Sequence, residues 1–242
     1  MKRGDLGELA GSVGLGAWTA FGVLAMTVIG DGRPLYADED LLSWSAGHRP
    51  DVAVALARGL TATGTGAIPY VLCALAGIIA GRTLRRRVVA AALCLACLGA
   101  GQAARYGVMA LVSRPRPAHM EWATHASGWA FPSGHTTTAA LTAGLLVIAV
   151  YIRALRGGTL LALVFGCWGA LVGLTRVYLG VHWFTDVVGG WLFAIGWLGL
   201  CLCAAAWWLP EGFISGTRDT DQEATEGHAP QDPGRRGRSR PA

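Results

Sequence analysis

The sequence predicts an all-α protein that crosses a membrane six times as a helical bundle, and three observations predict it. Hydrophobic residues make up 53% of the chain and charged residues 14%, where a typical soluble domain carries about 25% charged residues. Apolar runs recur along the chain at about the 20-residue length that spans a bilayer. The basic residues collect in short clusters between those runs and at the C-terminal end. Such clusters set topology, and they do not form a stripe for nucleic acid. The net charge of +5 therefore implies no nucleic-acid partner.

The runs can be taken in order. Leu9 to Ile29 follows a short basic segment with Lys2 and Arg3. Its length suits a full span and no A-x-A site follows it, so it reads as a retained first helix and not a signal peptide. Asp31 to Asp51, with Pro34, Pro50 and the acidic Asp38, Glu39 and Asp40, reads as a polar loop. Val52 to Leu60 is apolar enough to lie at the interface or to begin the second span, which runs from about Thr65 to Ala80. Beyond the basic loop with Arg82, Arg85, Arg86 and Arg87, a third span covers Val88 to Val112. Ser113 to Phe131 is a loop. A fourth span begins after Pro132 and reaches Ile152, a fifth covers Leu160 to Leu174, Arg176 to His182 is a short connection, and Phe184 to Leu209 is a sixth span. The membrane domain is thus residues 1–209. The tail, 210–242, is too rich in Gly, Pro and charge to bury a core and is expected to be disordered.

Arginine distribution sets the expected orientation. The Arg82–Arg87 loop, the loop with Arg153 and Arg156, both termini and the tail share one side, which reads as the cytoplasm. Arg33, Arg49, Arg58, Arg114, Arg116 and Arg176 fall on the other side and oppose that reading. All six cysteines sit in apolar runs, where thiols behave as small hydrophobes. Cys94-x-x-Cys97 has no second pair or histidine beside it, so neither a metal nor a redox role is expected. The tryptophans suit interfacial belts, and Gly166, Gly169, Gly173, Gly189 and Gly190 suit close helix packing. His48, His119 and His125 belong to no motif and are assigned nothing.

Three polar islands break the apolar pattern: Arg114-Pro-Arg-Pro117, Pro132-Ser-Gly-His135, and Thr175-Arg176 followed by His182 and Asp186. Six antiparallel spans bring all three to one face of the membrane. Arginines, a small-residue turn with a hydroxyl, two histidines and a carboxylate form an anion site that performs acid–base work. His182 and Asp186, at i and i+4, are neighbours on a helical face. The carboxylate there accepts from one imidazole nitrogen and leaves the other free to attack phosphorus. In the second island Ser133 and the backbone near a helix start cradle phosphate, with His135 beside the leaving oxygen.

These motifs resemble those of the type 2 phosphatidic acid phosphatase family, which shares its site with vanadium haloperoxidases. The family pattern is K-x6-R-P, then P-S-G-H, then S-R-x5-H-x3-D. P-S-G-H stands at 132–135. Arg176, His182 and Asp186 match the third motif with Thr175 in place of its serine, and Arg116-Pro117 matches the end of the first. The resemblance implies that His182 is the nucleophile, that His135 is the general acid, and that Arg116, Arg176, Ser133 and Gly134 hold the phosphate oxygens. It implies no metal and no cofactor. One departure stands out: the motif lysine falls at position 109, which is Met109. Arg105 is one turn earlier on the same face, about 6 Å along the axis at a rise of 1.5 Å per residue. A guanidinium there replaces the lysine only if it reaches toward the site, against the lean of helical side chains toward the N-terminus. The sequence leaves both placements open.

The expected activity is hydrolysis of a lipid phosphate or diphosphate in the cytoplasmic membrane, with the site on the outer face. A polyprenyl diphosphate such as undecaprenyl diphosphate comes first as substrate, with phosphatidic acid and phosphatidylglycerophosphate next. The alternatives are a lipid-linked phosphotransferase and a catalytically impaired lipid-binding membrane protein. Expected partners are the lipid substrate and membrane lipids, and the sequence carries no signal of oligomeric state.

Overall fold

A computed structural model describes residues 3–29 and 34–208. Helices follow one another throughout: α1 (Arg3–Val28), α2 (Tyr36–Gly47), α3 (Asp51–Ala62), α4 (Ala67–Ala80), α5 (Leu84–Val112), α6 (Gly134–Ile152), α7 (Gly158–Tyr178) and α8 (Phe184–Trp208). No strand occurs among the described residues. Five helices are long and apolar enough to cross a membrane, or six spans if α3 and α4 are counted as one bent crossing. The expected tail lies outside the described residues.

Three expectations need correction. The polar stretch read as a loop contains α2. Its start is fixed by Asp38, whose main-chain N–H donates to the Leu35 carbonyl at 2.8 Å while its carboxylate accepts from the Leu35 N–H at 3.0 Å. This is a carboxylate at the third helical position closing back on the cap. The second span is broken: α3 and α4 meet at 51°, across a turn whose Gly66 adopts φ 66°. Thr63-Gly-Thr-Gly66 cannot hold a continuous helix, and Gly64 lets the turn approach α7, since a Cβ there would lie 2.4 Å from Val172. Arg176, expected in a connection, is in the last turn of α7.

Small residues set how the spans cross. A Cβ on Gly199 of α8 would stand 2.7 Å from the Gly14 Cα of α1, and one on Gly77 of α4 would stand 2.2 Å from the Ala91 nitrogen of α5. Backbones this close are how helices associate where lipid offers no hydrophobic contrast. Beside the α1–α8 crossing, Phe21, Val28, Phe131 and Phe193 form one buried cluster. At mid-bundle Cys73, Leu98, Leu141 and Ala194 form another.

The polar islands gather where α5 and α7 end and α6 and α8 begin. Helix α5 stops at Ser113 in the left-handed region, φ 47°, directly before Arg114-Pro115, and the proline disfavours helical geometry at the residue before it. The α2–α3 segment wraps the same end. Arg49 Nη1 donates to the Glu121 carbonyl at 2.7 Å, Arg58 Nε to the Ala123 carbonyl at 2.8 Å, and the Tyr178 hydroxyl to the His48 carbonyl at 2.7 Å. The two arginines hold the loop at Glu121 and Ala123, and the tyrosine ties the end of α2 to α7.

Candidate active site

His182 sits in the turn before α8 and is almost wholly buried, at 2% exposure. Its Nδ1 lies 3.3 Å from Asp186 Oδ2, and its Nε2 lies 2.8 Å from Arg116 Nη1. Guanidinium groups only donate, so Nε2 carries a lone pair and Nδ1 carries the proton directed at Asp186. The two neighbours select one tautomer from opposite ends. Burial, followed by the Arg116 and Arg176 charges, holds the imidazole well below its ordinary pKa. The ring is therefore neutral at ordinary pH.

Asp186 is fully buried and works for its helix as well as for the histidine. Its Oδ2 accepts from the Trp183 N–H at 2.9 Å, which closes the first turn of α8, and its Oδ1 takes Arg114 Nη1 at 2.7 Å. Its carbonyl accepts from the Ser133 N–H at 3.0 Å. That last bond ties the start of α6 to the start of α8 and brings the second and third islands together. In the first turn of α6 the N–H groups of Gly134, His135 and Thr136 have no partner within the helix by its geometry, as at helix starts that bind anions. Ser133 is buried, and its Oγ accepts from Thr136 Oγ1 at 2.9 Å.

The arginines take different surroundings. Arg116 donates from Nε to the Gly128 carbonyl, from Nη1 to the Val181 carbonyl and His182 Nε2, and from Nη2 to the Ser127 and Trp129 carbonyls, all at 2.7–3.1 Å. All five of its N–H groups thus have an acceptor in the protein. Arg176 differs. Its Nη1 reaches Thr61 Oγ1 at 3.2 Å, at the end of α3, while its Nε is buried with no protein acceptor. A buried donor of this kind calls for an explanation, and an anion supplies one.

The Arg105 guanidinium lies over the Tyr106 ring at 3.9 Å, with Nε donating to Gln102 Oε1 at 3.1 Å and Nη1 3.5 Å from Met109 Sδ. A Cβ on Gly134 would stand 3.3 Å from its Cζ. The side chain therefore lies between Gln102 and Met109 and against the Pro-Ser-Gly-His turn. Gln102 continues the contact, with Nε2 2.5 Å from Thr138 Oγ1, which donates to the Gly134 carbonyl at 2.8 Å.

Sequence reasoning missed Gln102, Asp38 and the place of Arg114. Gln102 had a signal, a polar residue three positions before Arg105 in an apolar run. Arg114 stood in the first island without a role, yet it is buried in ion pairs with Asp38 and Asp186 at 2.8 and 2.7 Å. Nothing local marks Asp38 as its partner.

A family model described as the PAP2 superfamily matches residues 89–210. Among curated proteins, phosphatidylglycerophosphatase B of Bacillus subtilis (strain 168) is 31% identical over 139 residues, covering 56% of this chain and 67% of the relative. Among solved structures, the fold is shared with the first transmembrane PAP2 type phosphatidylglycerolphosphate phosphatase from Bacillus subtilis. That match has a TM-score of 0.66 at 24% identity and covers 78% of this chain and 94% of the other.

Proposed function

The chain belongs to the PAP2 superfamily and is a membrane lipid phosphatase, and from that premise we propose that it hydrolyses the phosphomonoester of an anionic lipid through a covalent intermediate on His182. The observation that carries this reading is the histidine held between Asp186 and Arg116 with its lone pair on Nε2. The nitrogen that must attack is thereby defined before substrate arrives.

In the first step Nε2 of His182 bonds to phosphorus as the P–O bond to the lipid breaks, and His135 gives its proton to the departing oxygen. The ring becomes a phosphorylated imidazolium whose Nδ1–H remains on Asp186, and that carboxylate offsets the new charge. In the second step a water gives a proton to His135 and its oxygen to phosphorus. The N–P bond breaks and inorganic phosphate leaves, with His182 neutral and the proton that His135 gave restored to it. Phosphoryl transfer asks mainly for positioning and charge stabilisation. Arg176 Nε, the Gly134 N–H, the Ser133 hydroxyl and Arg105 supply it to the phosphoryl oxygens. Arg116 joins them by moving one N–H from Nε2 to an oxygen.

The name of the Bacillus relative puts phosphatidylglycerophosphate first among substrates. Undecaprenyl diphosphate, first on the sequence alone, rests on an outward-facing site, with both termini cytoplasmic. The test is phosphate release by the purified protein in detergent from phosphatidylglycerophosphate, phosphatidic acid and undecaprenyl diphosphate, with the enzyme also quenched early to trap phosphoenzyme. The expected result is the highest kcat/KM on phosphatidylglycerophosphate and a phosphoenzyme that is labile in acid and stable in base. Fastest turnover of undecaprenyl diphosphate reverses the ranking. Transfer to an added acceptor lipid in preference to water makes the protein a phosphotransferase.

A further inference from the structure

Helix α2 lies outside the residues that the family model matches, yet it places a fully buried carboxylate two residues from the candidate site. Asp38 Oδ1 accepts from the Thr185 N–H at 2.8 Å, and the Thr185 hydroxyl lies 3.0 Å from Oδ1 and 2.8 Å from Oδ2. Its Oδ2 accepts from Arg114 Nη2 at 2.8 Å and from the Leu35 N–H at 3.0 Å. Arg114 Nη1 donates onward to Asp186 Oδ1 at 2.7 Å and to Thr185 Oγ1 at 2.7 Å. Asp38 and Asp186 thus repeat one arrangement. Each is the third residue of its helix, each accepts from the N–H at its own helix start, and the two share one guanidinium.

Resting on the reading that His182 is the nucleophile, we propose that Asp38 is a positioning residue for the reaction, dividing the Arg114 charge so that Asp186 stays available to His182. The physical argument is competition. A guanidinium buried beside a single carboxylate draws both oxygens into a two-bond pair, which would pull Asp186 off Nδ1 of His182. With Asp38 on Nη2, Arg114 Nη1 bonds Oδ1 of Asp186, and Oδ2 is shared between the Trp183 N–H and the imidazole. The division matters most in the transition state, when the ring gains positive charge in the presence of Arg116, Arg176 and Arg105 and Asp186 is the carboxylate in contact with it. A defect here belongs to kcat, because Asp38 is fully buried and its carboxylate is engaged by Arg114, Thr185 and the Leu35 N–H. The proposal gives the N-terminal third of the chain a part in chemistry as well as in anchoring.

The experiment uses the full chain in detergent micelles, with phosphatidylglycerophosphate as substrate and thermal unfolding as the check on folding. Asp38→Asn should lower kcat by at least about tenfold with KM changed less than about twofold. Arg114→Gln added to Asp38→Asn should recover part of that loss, since it removes the charge that the first change set free, a coupling that a double-mutant cycle reads directly. Thr185→Val, which keeps both charges and nearly the same shape, serves if Asp38→Asn does not fold, and should lower kcat by about threefold or more at unchanged KM. A folded Asp38→Asn enzyme with wild-type kcat, or effects of Asp38 and Arg114 that simply add, overturns the proposal. If Thr185→Val is the variant that folds, an unchanged kcat does the same. His182→Ala measured in parallel separates the two levels: turnover surviving there removes the nucleophile reading itself, whereas a dead His182→Ala beside a full-rate Asp38 or Thr185 variant removes only this inference.

Discussion

At the scale of the residue, the site is a set of assignments of lone pairs and protons. His182→Ala removes the nitrogen proposed to bond to phosphorus, so phosphate release should fall to background while the protein still melts cooperatively. Release near the wild-type rate would falsify the covalent scheme. His135→Ala should cost about 10²–10⁴-fold on a lipid alkoxide leaving group, the usual worth of general acid catalysis, and much less on an aryl phosphate whose leaving group needs no proton. Equal losses on both substrates take His135 out of that role. Arg105→Ala should lower kcat/KM by at least about tenfold, a loss of about 1.4 kcal/mol of transition-state stabilisation, and adding Met109→Lys should return part of it. An unchanged kcat/KM in a folded Arg105→Ala protein makes Arg105 structural. The His182–Asp186 pair was legible because its spacing is local, but it is not set on one helical face as expected: His182 lies in the turn before α8 and meets Asp186 in that helix's first turn. The direction of Arg105 was not, because a side chain with four torsions is placed by its contacts with Gln102 and Gly134. The Asp38–Arg114 pair joins residues 76 positions apart, which neither periodicity nor motif spacing can connect.

At the scale of the element, α1 and α8 cross where glycine replaces side-chain packing. Gly199→Leu should destabilise the bundle by about 1–3 kcal/mol, the usual cost of overpacking, because the atoms a side chain would meet are the Gly14 backbone and the Ala10 carbonyl. Gly16→Ala is the control, since nothing lies within 4 Å of a Cβ there, and it should unfold no earlier than wild type. Unfolding in graded denaturing detergent measures both, and equal midpoints would show that the crossing is loose. Long apolar runs read correctly as helices because hydropathy dominates their placement, with ends shifted by a few residues. Helix α2 was hidden because its polar, acidic sequence resembles a loop, and the burial of Asp38 at its start depends on Arg114 and Thr185 from elsewhere in the chain. The break between α3 and α4 was half visible in Thr63-Gly-Thr-Gly66. Its purpose shows only in three dimensions, where it sets Thr61 at Arg176.

At the scale of the molecule, the arginines that weighed against the expected orientation have other duties. Arg49 and Arg58 bind loop carbonyls and Arg114 binds carboxylates, so they weigh less as topology signals than their number suggests. A cysteine at Ala118 should react with an impermeant thiol reagent added outside intact cells, and reaction only after permeabilisation inverts the orientation. Activity should survive EDTA, because among the described residues no three His, Cys, Asp or Glu side chains converge; loss restored by Mg²⁺ or Zn²⁺ counts against the metal-free scheme. The bond from Arg116 Nη1 to His182 Nε2 has one more consequence. With its lone pair capped, the resting His182 is a poor target for stray electrophiles at the membrane surface, and on the proposed scheme an arriving phosphoryl group uncaps it by offering Arg116 a better acceptor. The substrate itself then arms the histidine, so an uncharged ester of the same shape should leave the catalyst dormant.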